Sequence, residues 1–312
     1  MRLLFMGTPA FAVPTLKALL SSHHKVSAVF TQPDKPSGRG EKLSAPPVKQ
    51  WAVEQGVIVH QPEKLKAAEW QPVFATLNAD AYVVVAYGKI LPQWLLDLPR
   101  LGAYNVHASL LPKYRGAAPI HWAIANGETR TGITTMKLDA GMDTGDTLRQ
   151  TEIRIDPEDT CVSIHDRLAA IGAEMMLKTL EDLEKGTAKA VPQDPALATY
   201  APMLKKSDGL LDWSQPAVSI HNRIRAFNPW PGTYTHLQGQ TLRIWKAHPA
   251  EVSTELAPGT LLHHTSGAAM VACGTGFLQL AEVQMENRKR TTAPDFLHGI
   301  RLGRTETLLL GR

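Results

Sequence analysis

The sequence predicts an α/β fold in which a doubly wound, mostly parallel sheet is followed by a small β-barrel. In the first part of the chain, apolar stretches of strand length alternate with segments of helical period, the pattern of a layered α/β domain. Residues 82–86 are almost continuously apolar, as expected for a central parallel strand that is buried on both faces. Beyond residue 206, short strands separated by turns indicate the barrel.

The elements of the first part follow from their hydrophobic period. Strands are predicted at residues 2–6, 26–30, 57–60, 81–86, 103–106 and 133–138. Helices are predicted at residues 12–20, 47–55 and 120–126. Residues 31–43 are too rich in proline, glycine and charge for a strand or a helix, so we expect a long loop there. Long loops on compact domains are often functional.

A long helix and a proline-rich stretch mark the end of the first domain. Apolar residues recur every three or four positions from 160 to 183, with Asp159 or Thr160 as the cap and Gly186 after the end. Residues 187–206 then read as an extended linker. After it, a helix is expected at 217–226 and strands at 233–237, 241–248, 259–262, 268–272 and 277–283. The expected division is therefore 1–186, 187–206 and 207–312.

Composition limits the class of protein. A chain of 312 residues that is 44% hydrophobic is expected to form a globular protein of two domains. Cys161 and Cys273 lie far apart and outside any metal-binding spacing, so we expect neither a disulfide framework nor a zinc site, and a reducing compartment. The first apolar run, residues 1–6, is too short for a signal or membrane segment, which favours a cytoplasmic location.

The positive charge is concentrated at one end of the chain. Residues 205–312 contain 12 Lys and Arg against 8 Asp and Glu, whereas residues 1–204 contain 21 of each, so the last third accounts for the whole net charge of +4. Such an asymmetry is typical of a domain that faces nucleic acid, although a modest basic surface also occurs in proteins that bind no polyanion.

Two polar residues end one predicted strand. Asn105 and His107 are two positions apart, so alternation along the strand places both side chains on one face. A loop punctuated by Pro112, Gly116 and Pro119 follows, and ligands of open parallel sheets bind at such strand ends. An amide donor can stabilise an oxyanion, and histidine can move a proton, which together favour acyl-type transfer. The alternative is a turn-closing Asn and a structural His.

An acidic loop follows a second strand. Residues 139–146 contain three aspartates and two glycines, so a carboxylate there is available to orient and charge-stabilise His107. The alternative is an ordinary Asp/Gly turn. A dinucleotide site is disfavoured elsewhere, because the glycine after the first strand lacks the GxGxxG pattern.

Together, the segments NVHASLLP, RGAAP and DAGMDTGD resemble the folate-dependent formyltransferase family. The resemblance implies a Rossmann-like catalytic domain in which Asn105, His107 and Asp143 are catalytic. It implies transfer of a formyl group from 10-formyltetrahydrofolate to an amine, with no metal. It also implies a folate site that is lined by Ser109, Leu110, Leu111 and Pro112 and by Tyr87, Gly88 and Ile90 of the segment AYGKILP.

The resemblance extends to the members of the family that act on methionyl-tRNA. Their inserted loop, which contacts the acceptor end of the initiator tRNA, is similar to QPDKPSGRG at residues 32–40, and their OB-like C-terminal domain begins with a string similar to RAFNPWPG at residues 225–232. The implied tRNA-binding residues are Lys35, Arg39, Lys42, Arg288, Lys289 and Arg290.

The expected function is formyl transfer by a monomer to the α-amine of methionyl initiator tRNA. A formyltransferase for an amino sugar nucleotide and a non-catalytic RNA-binding relative stay open as alternatives. On charge alone, a solvated basic loop explains Lys35, Arg39 and Lys42 about as well as a phosphate contact.

Overall fold

A computed structural model describes residues 1–37, 42–250, 252–253, 255–304 and 306–311. The chain forms two compact units. Unit 1 comprises Met1–Pro119, Arg130–Arg154 and Ile164–Ala201, and unit 2 comprises Ile120–Thr129, Ile155–Ser163 and Pro202–Arg312. None of the helices in the described ranges is long and apolar enough to cross a membrane.

Unit 1 is built on a seven-stranded sheet with the order β10-β9-β7-β6-β1-β2-β5. The strands of this unit are β1 Arg2–Gly7, β2 Lys25–Phe30, β3 Lys35–Ser37, β4 Lys42–Ser44, β5 Val59–His60, β6 Ala81–Val85, β7 Ala103–His107, β8 Arg115–Gly116, β9 Arg130–Lys137, β10 Thr147–Arg154 and β11 Tyr200–Ala201. Strands β1, β2, β5, β6 and β7 are parallel, while β9 and β10 are antiparallel. The predicted doubly wound, mostly parallel sheet is confirmed.

The two units contain eight α-helices in the described ranges. They are α1 Val13–Leu20, α2 Pro47–Glu54, α3 Ala67–Leu77, α4 Gln93–Leu96, α5 Pro119–Ala125, α6 Cys161–Lys185, α7 Ala217–Phe227 and α8 Ala293–Gly299. Helix α3 contains Pro72, which by itself argues against a helix, and the sequence pattern did not single it out. The prediction of an irregular loop at residues 31–43 was wrong in part, because β3 and β4 pair there as a short antiparallel hairpin.

One face of the sheet carries an aromatic core. Phe30 stacks on Phe74 of α3 with ring centroids 4.5 Å apart, and Tyr82 lies beside Phe74. Ala103 of β7 belongs to the same buried cluster. Because side chains alternate along a strand, Asn105 and His107 continue this face toward the carboxyl end of β7. The core therefore gives way to polar side chains at the sheet edge where parallel strands bind ligands.

Unit 2 contains the predicted barrel. Its strands are β12 Thr233–Leu237, β13 Gln240–Ala250, β14 Thr260–His263, β15 Ala269–Ala272, β16 Phe277–Met285, β17 Thr291–Thr292 and β18 Thr307–Gly311. Six of them close a ring, because β13 pairs with both β12 and β16. Ile220 and Ile224 of α7 and Phe296 and Leu297 of α8 join the buried barrel core.

Candidate active site

Strand β7 places Asn105 and His107 on one face, as the alternation predicts. Asn105 lies beside Val84 of β6 and Met136 of β9, and His107 pairs with Thr134. The His107 side chain is buried, with 5% exposed, whereas Asn105 is partly exposed. Within the described ranges the side-chain amide of Asn105 forms no hydrogen bond, so its side-chain N–H groups are available to a ligand.

A carbonyl determines the tautomer of His107. Its Nε2 lies 2.9 Å from the carbonyl oxygen of Tyr114, which can only accept, so Nε2 carries a proton and donates it. Nδ1 is then the nitrogen free for chemistry, and it lies 3.6 Å from Oδ2 of Asp143. The Asp143 carboxylate thus lies opposite the ring nitrogen that the Tyr114 carbonyl does not bind.

Two of the three aspartates of the acidic loop, residues 139–146, have different environments. Asp139 accepts hydrogen bonds from the Gly141 N–H at 3.0 Å and the Thr144 hydroxyl at 2.7 Å, which is an ordinary turn-closing arrangement. Asp143 adopts a left-handed backbone with φ of 54°, and its Oδ2 accepts from the Gly116 N–H at 2.8 Å. The structure thus brings together Asn105, His107 and Asp143.

The proline loop, residues 109–116, is held by one partly buried and one buried hydrogen bond. The Ser109 hydroxyl donates to the Lys113 carbonyl at 2.6 Å, and the Leu111 N–H donates to the Thr134 hydroxyl at 3.1 Å. Leu111 is buried, while Leu110 and Pro112 are partly exposed. Leu110 and Pro112 can therefore touch a ligand with their side chains, whereas Ser109 mainly shapes the loop.

The segment AYGKILP, residues 86–92, is named the pterin loop, and it presents its backbone more than the Tyr87 side chain. The Tyr87 ring is buried in the aromatic core, burial raises the pKa of its hydroxyl to about 12, and its carbonyl accepts from Thr8 at 2.9 Å and Gln32 at 3.1 Å. Gly88 has a φ of 81°, which favours glycine, and Ile90 is 80% exposed. An exposed large apolar side chain offers a surface that a planar ring can cover.

The predicted tRNA-binding residues lie in two places. Lys35 is exposed on β3, whereas Arg39 lies outside the described residues, as does the side chain of Lys42. In unit 2, Arg290 forms an ion pair with Glu282, and its guanidinium lies 4.9 Å from the centre of the Trp245 ring. Arg288 and Lys289 are exposed in the turn that precedes β17.

Sequence reasoning missed two residues that join the loops around His107. Arg115 is 4% exposed, and its Nε and Nη2 donate to Oε1 of Gln193 at 3.1 and 2.7 Å. Gln193 Nε2 donates in turn to the carbonyls of Asp143 at 2.8 Å and Gly145 at 2.7 Å. The only sequence signal at Gln193 is a proline-rich setting, which indicates a linker.

One group of possible metal ligands occurs among the described residues, at a different place. Ligand atoms of His23, His24 and Glu184 lie within 4.8 Å of one another. The Glu184 oxygens already bind the His23 ring at 2.8 Å and the Met1 amine at 3.2 Å. Met1 and the two histidines precede β1 and β2, at the edge of the parallel sheet opposite to His107, and Glu184 lies in the last turn of α6.

Comparison with known proteins identifies the family. The family model described as formyl transferase matches residues 1–180, and the one for the formyl transferase C-terminal domain matches residues 203–301. The chain belongs to the formyl transferase family. The resemblance predicted from the three sequence motifs is confirmed.

Relatives in this family match over nearly their whole length. The chain is 52% identical to a methionyl-tRNA formyltransferase of Solibacter usitatus, covering 99% of this chain and 98% of the relative. It is also 52% identical to the methionyl-tRNA formyltransferase of Geobacter metallireducens, covering 96% of each.

Solved structures support the fold. An N-formyltransferase from Helicobacter canadensis, in complex with folinic acid and dTDP-3-aminofucose, has a TM-score of 0.66 at 19% identity and covers 91% of this chain and 99% of its own. HypX from Aquifex aeolicus in complex with tetrahydrofolic acid has a TM-score of 0.64 at 17% identity and covers 95% of this chain and 47% of its own.

Proposed function

We propose that the chain transfers the formyl group of 10-formyltetrahydrofolate to the α-amino group of methionyl initiator tRNA, which produces formylmethionyl-tRNA for translation initiation. The observation that carries this proposal is the 52% identity, over nearly the full length, to proteins named methionyl-tRNA formyltransferase. The arrangement of Asn105, His107 and Asp143 supports it, because these groups suit attack on a formyl carbon.

In the proposed reaction, the neutral α-amine attacks the formyl carbon, a C–N bond forms and the formyl oxygen becomes an oxyanion. The free amide N–H of Asn105 donates to the oxyanion. When His107 is protonated on both nitrogens, Nε2 keeps its bond to the Tyr114 carbonyl. The positive charge of the ring then stabilises the oxyanion, and the Asp143 carboxylate opposite Nδ1 balances that charge. The amine loses a proton toward Asp143, directly or through water. The oxyanion then re-forms the carbonyl as the bond between the formyl carbon and the folate nitrogen breaks, and that nitrogen takes up a proton in place of the one the amine lost.

The folate is proposed to lie against the proline loop and the pterin loop. Leu110 and Pro112 offer partly exposed side chains, Gly88 brings its backbone close, and Ile90 is largely exposed without a ligand. Ser109, Leu111 and Tyr87 act by holding the backbone, since their side chains are buried. The proposed reaction needs no metal.

The tRNA is proposed to bind Lys35, Arg39 and Lys42 from residues 1–186 and Arg288, Lys289 and Arg290 from residues 207–312, with residues 187–206 between the two domains. The excess of basic residues in the last third supports this, because phosphate contacts dominate nucleic-acid affinity. We propose that the enzyme acts as a monomer in the cytoplasm, where its tRNA substrate is used.

Single-turnover formyl transfer tests the proposal. Equal amounts of methionyl initiator tRNA, methionyl elongator tRNA and an amino sugar nucleotide are offered with 10-formyltetrahydrofolate. The expected result is transfer to the initiator species with a marked preference over the elongator. Transfer to the sugar alone would mean that the acceptor is an amino sugar nucleotide and not methionyl-tRNA. Binding of tRNA without transfer to any acceptor would favour a non-catalytic RNA-binding protein.

A further inference from the structure

Residues 191–201 are attached to the loops around His107, although their composition predicts a linker. Val191 and Thr147 exchange two backbone hydrogen bonds of 2.8 and 2.9 Å. The Thr199 hydroxyl accepts from the Tyr114 N–H at 2.9 Å, and β11 runs parallel to β8. This docked segment, residues 191–201, therefore contacts both the proline loop and the strand that follows the acidic loop.

Within the docked segment, the Gln193 side chain makes four hydrogen bonds that bridge the two loops. Its Oε1 accepts from Nε and Nη2 of Arg115, and its Nε2 donates to the carbonyls of Asp143 and Gly145. The two kinds of partner determine which end of the amide is oxygen. In the described part of the chain no carboxylate pairs with Arg115, so Gln193 is the acceptor that satisfies these N–H groups of a buried guanidinium.

The bridged residues are those that orient His107. The carbonyl of Tyr114, next to Arg115, determines the tautomer of His107, and the N–H of Gly116, on the other side of Arg115, binds the Asp143 carboxylate. Asp143 has a φ of 54°, a backbone conformation that costs free energy for a residue other than glycine and that must be held by its surroundings. Gln193 holds the carbonyl of that same residue.

From this geometry we infer that Gln193 is a positioning residue for formyl transfer. It holds the acidic loop against Arg115 and Gly116, so that the Asp143 carboxylate stays opposite Nδ1 of His107. Gln193 itself touches neither His107 nor Asn105 in any described hydrogen bond. The expected change in kcat rests on the proposed function, whereas the expected change in the position of Asp143 is measured without substrate.

The decisive variant is Gln193→Glu. Glutamate has nearly the same shape and keeps the acceptor for Arg115, but it has no N–H for the carbonyls of Asp143 and Gly145 and repels them. We expect kcat for formyl transfer to fall by about tenfold to a hundredfold, as for a small misplacement of catalytic groups, with little change in KM for either substrate. We also expect the amide resonance of Gly116 to move in the ¹H–¹⁵N spectrum of the free enzyme, because its acceptor shifts.

Gln71→Glu is the matched control, since Gln71 is exposed on α3 and undergoes the same change of charge. It should leave both kcat and the Gly116 resonance unchanged. Gln193→Asn, which keeps the amide but shortens its reach, carries the same test if Gln193→Glu does not fold.

Three results would overturn the inference: a folded Gln193 variant with wild-type kcat, a rise in KM alone, or an unmoved Gly116 resonance. If the wild-type enzyme transfers no formyl group to methionyl-tRNA, the proposed function fails. The Gly116 resonance still decides whether Gln193 positions Asp143, because it is measured without substrate.

Discussion

Two loops lie beside His107, and they differ in which elements of the fold hold them. The proline loop is held from within and from the neighbouring strand, because the buried Thr134 hydroxyl donates to the Ser109 carbonyl at 2.7 Å and accepts from the Leu111 N–H. The acidic loop is exposed at residues 139–142 and depends on Gln193, 50 residues beyond Asp143 in the chain. The loop that forms the proposed folate site is thus held by a buried hydroxyl of β9 as well as by the docked segment, and the loop that carries the carboxylate is held by the docked segment through Gln193.

Asp143→Asn tests what the acidic loop contributes and should have the largest effect. The amide keeps an oxygen for the Gly116 N–H but removes the negative charge that faces His107. We expect single-turnover formyl transfer to slow by about a thousandfold, within the usual range for a group in proton transfer. Asp139→Asn, in the same loop, should stay close to wild type because Asp139 only closes a turn. Equal losses for both variants would contradict the assignment of Asp143.

Asn105→Ala tests the strand β7 that leads into the proline loop. The side-chain amide of Asn105 has no described hydrogen bond, so its removal leaves no buried group unpaired. The variant should therefore unfold at the wild-type temperature. We expect turnover to fall by about a hundredfold, the usual cost of losing one oxyanion donor. A folded variant with an unaltered rate would remove Asn105 from the site.

Thr134→Val tests whether the buried hydroxyl of β9 holds the proline loop. Valine has the same shape but leaves the Leu111 N–H and the Ser109 carbonyl without their buried partner, so we expect the free energy of unfolding to drop by about 1–3 kcal/mol in a urea titration. We also expect a higher KM for the folate, because the loop is proposed to line its site.

Thr135→Val is the control for Thr134→Val. Thr135 is equally buried, but its hydroxyl bonds Thr179 at 2.8 Å, on the opposite face of β9 from Thr134. It should lose stability with no change in KM. A rise in KM for both variants would mean that strand β9 as a whole, and not the Thr134 contact, supports the loop.

The smallest expected effect concerns His60, a half-buried residue of the edge strand β5 that packs beside the aromatic core. Burial lowers the pKa of His60 below 6.5, and its ring lies 4.9 Å from Phe30. His60 therefore binds a proton at a higher pH in the unfolded chain than in the folded one. Its contribution to the free energy of unfolding is complete above about pH 6.5 and falls as the pH is lowered. His60→Phe should reduce the loss of Tm between pH 7.5 and 5.5, whereas the exposed His264→Phe should not; an equal loss in wild type and His60→Phe would exclude His60 as a source.

Much of the scaffold could be predicted because its signals are local. The buried run of β6 and the alternation of β7 are properties of neighbouring residues, and both strands form as expected. The exceptions are places where tertiary packing overrides composition. Strands β3 and β4 form within a stretch rich in proline and glycine, and α3 forms around Pro72 because Phe74 is buried against Phe30.

The sequence by itself determined that Asn105 and His107 share one face at the end of a strand, because a period of two residues is a local property, and its motifs determined the family. The tertiary structure alone decided the tautomer of His107, the placement of the Asp143 carboxylate 3.6 Å from Nδ1 and the hydrogen bonds of Gln193. The physical reason is that these depend on hydrogen bonds between residues as far as 78 positions apart, from Arg115 to Gln193, which no local pattern encodes.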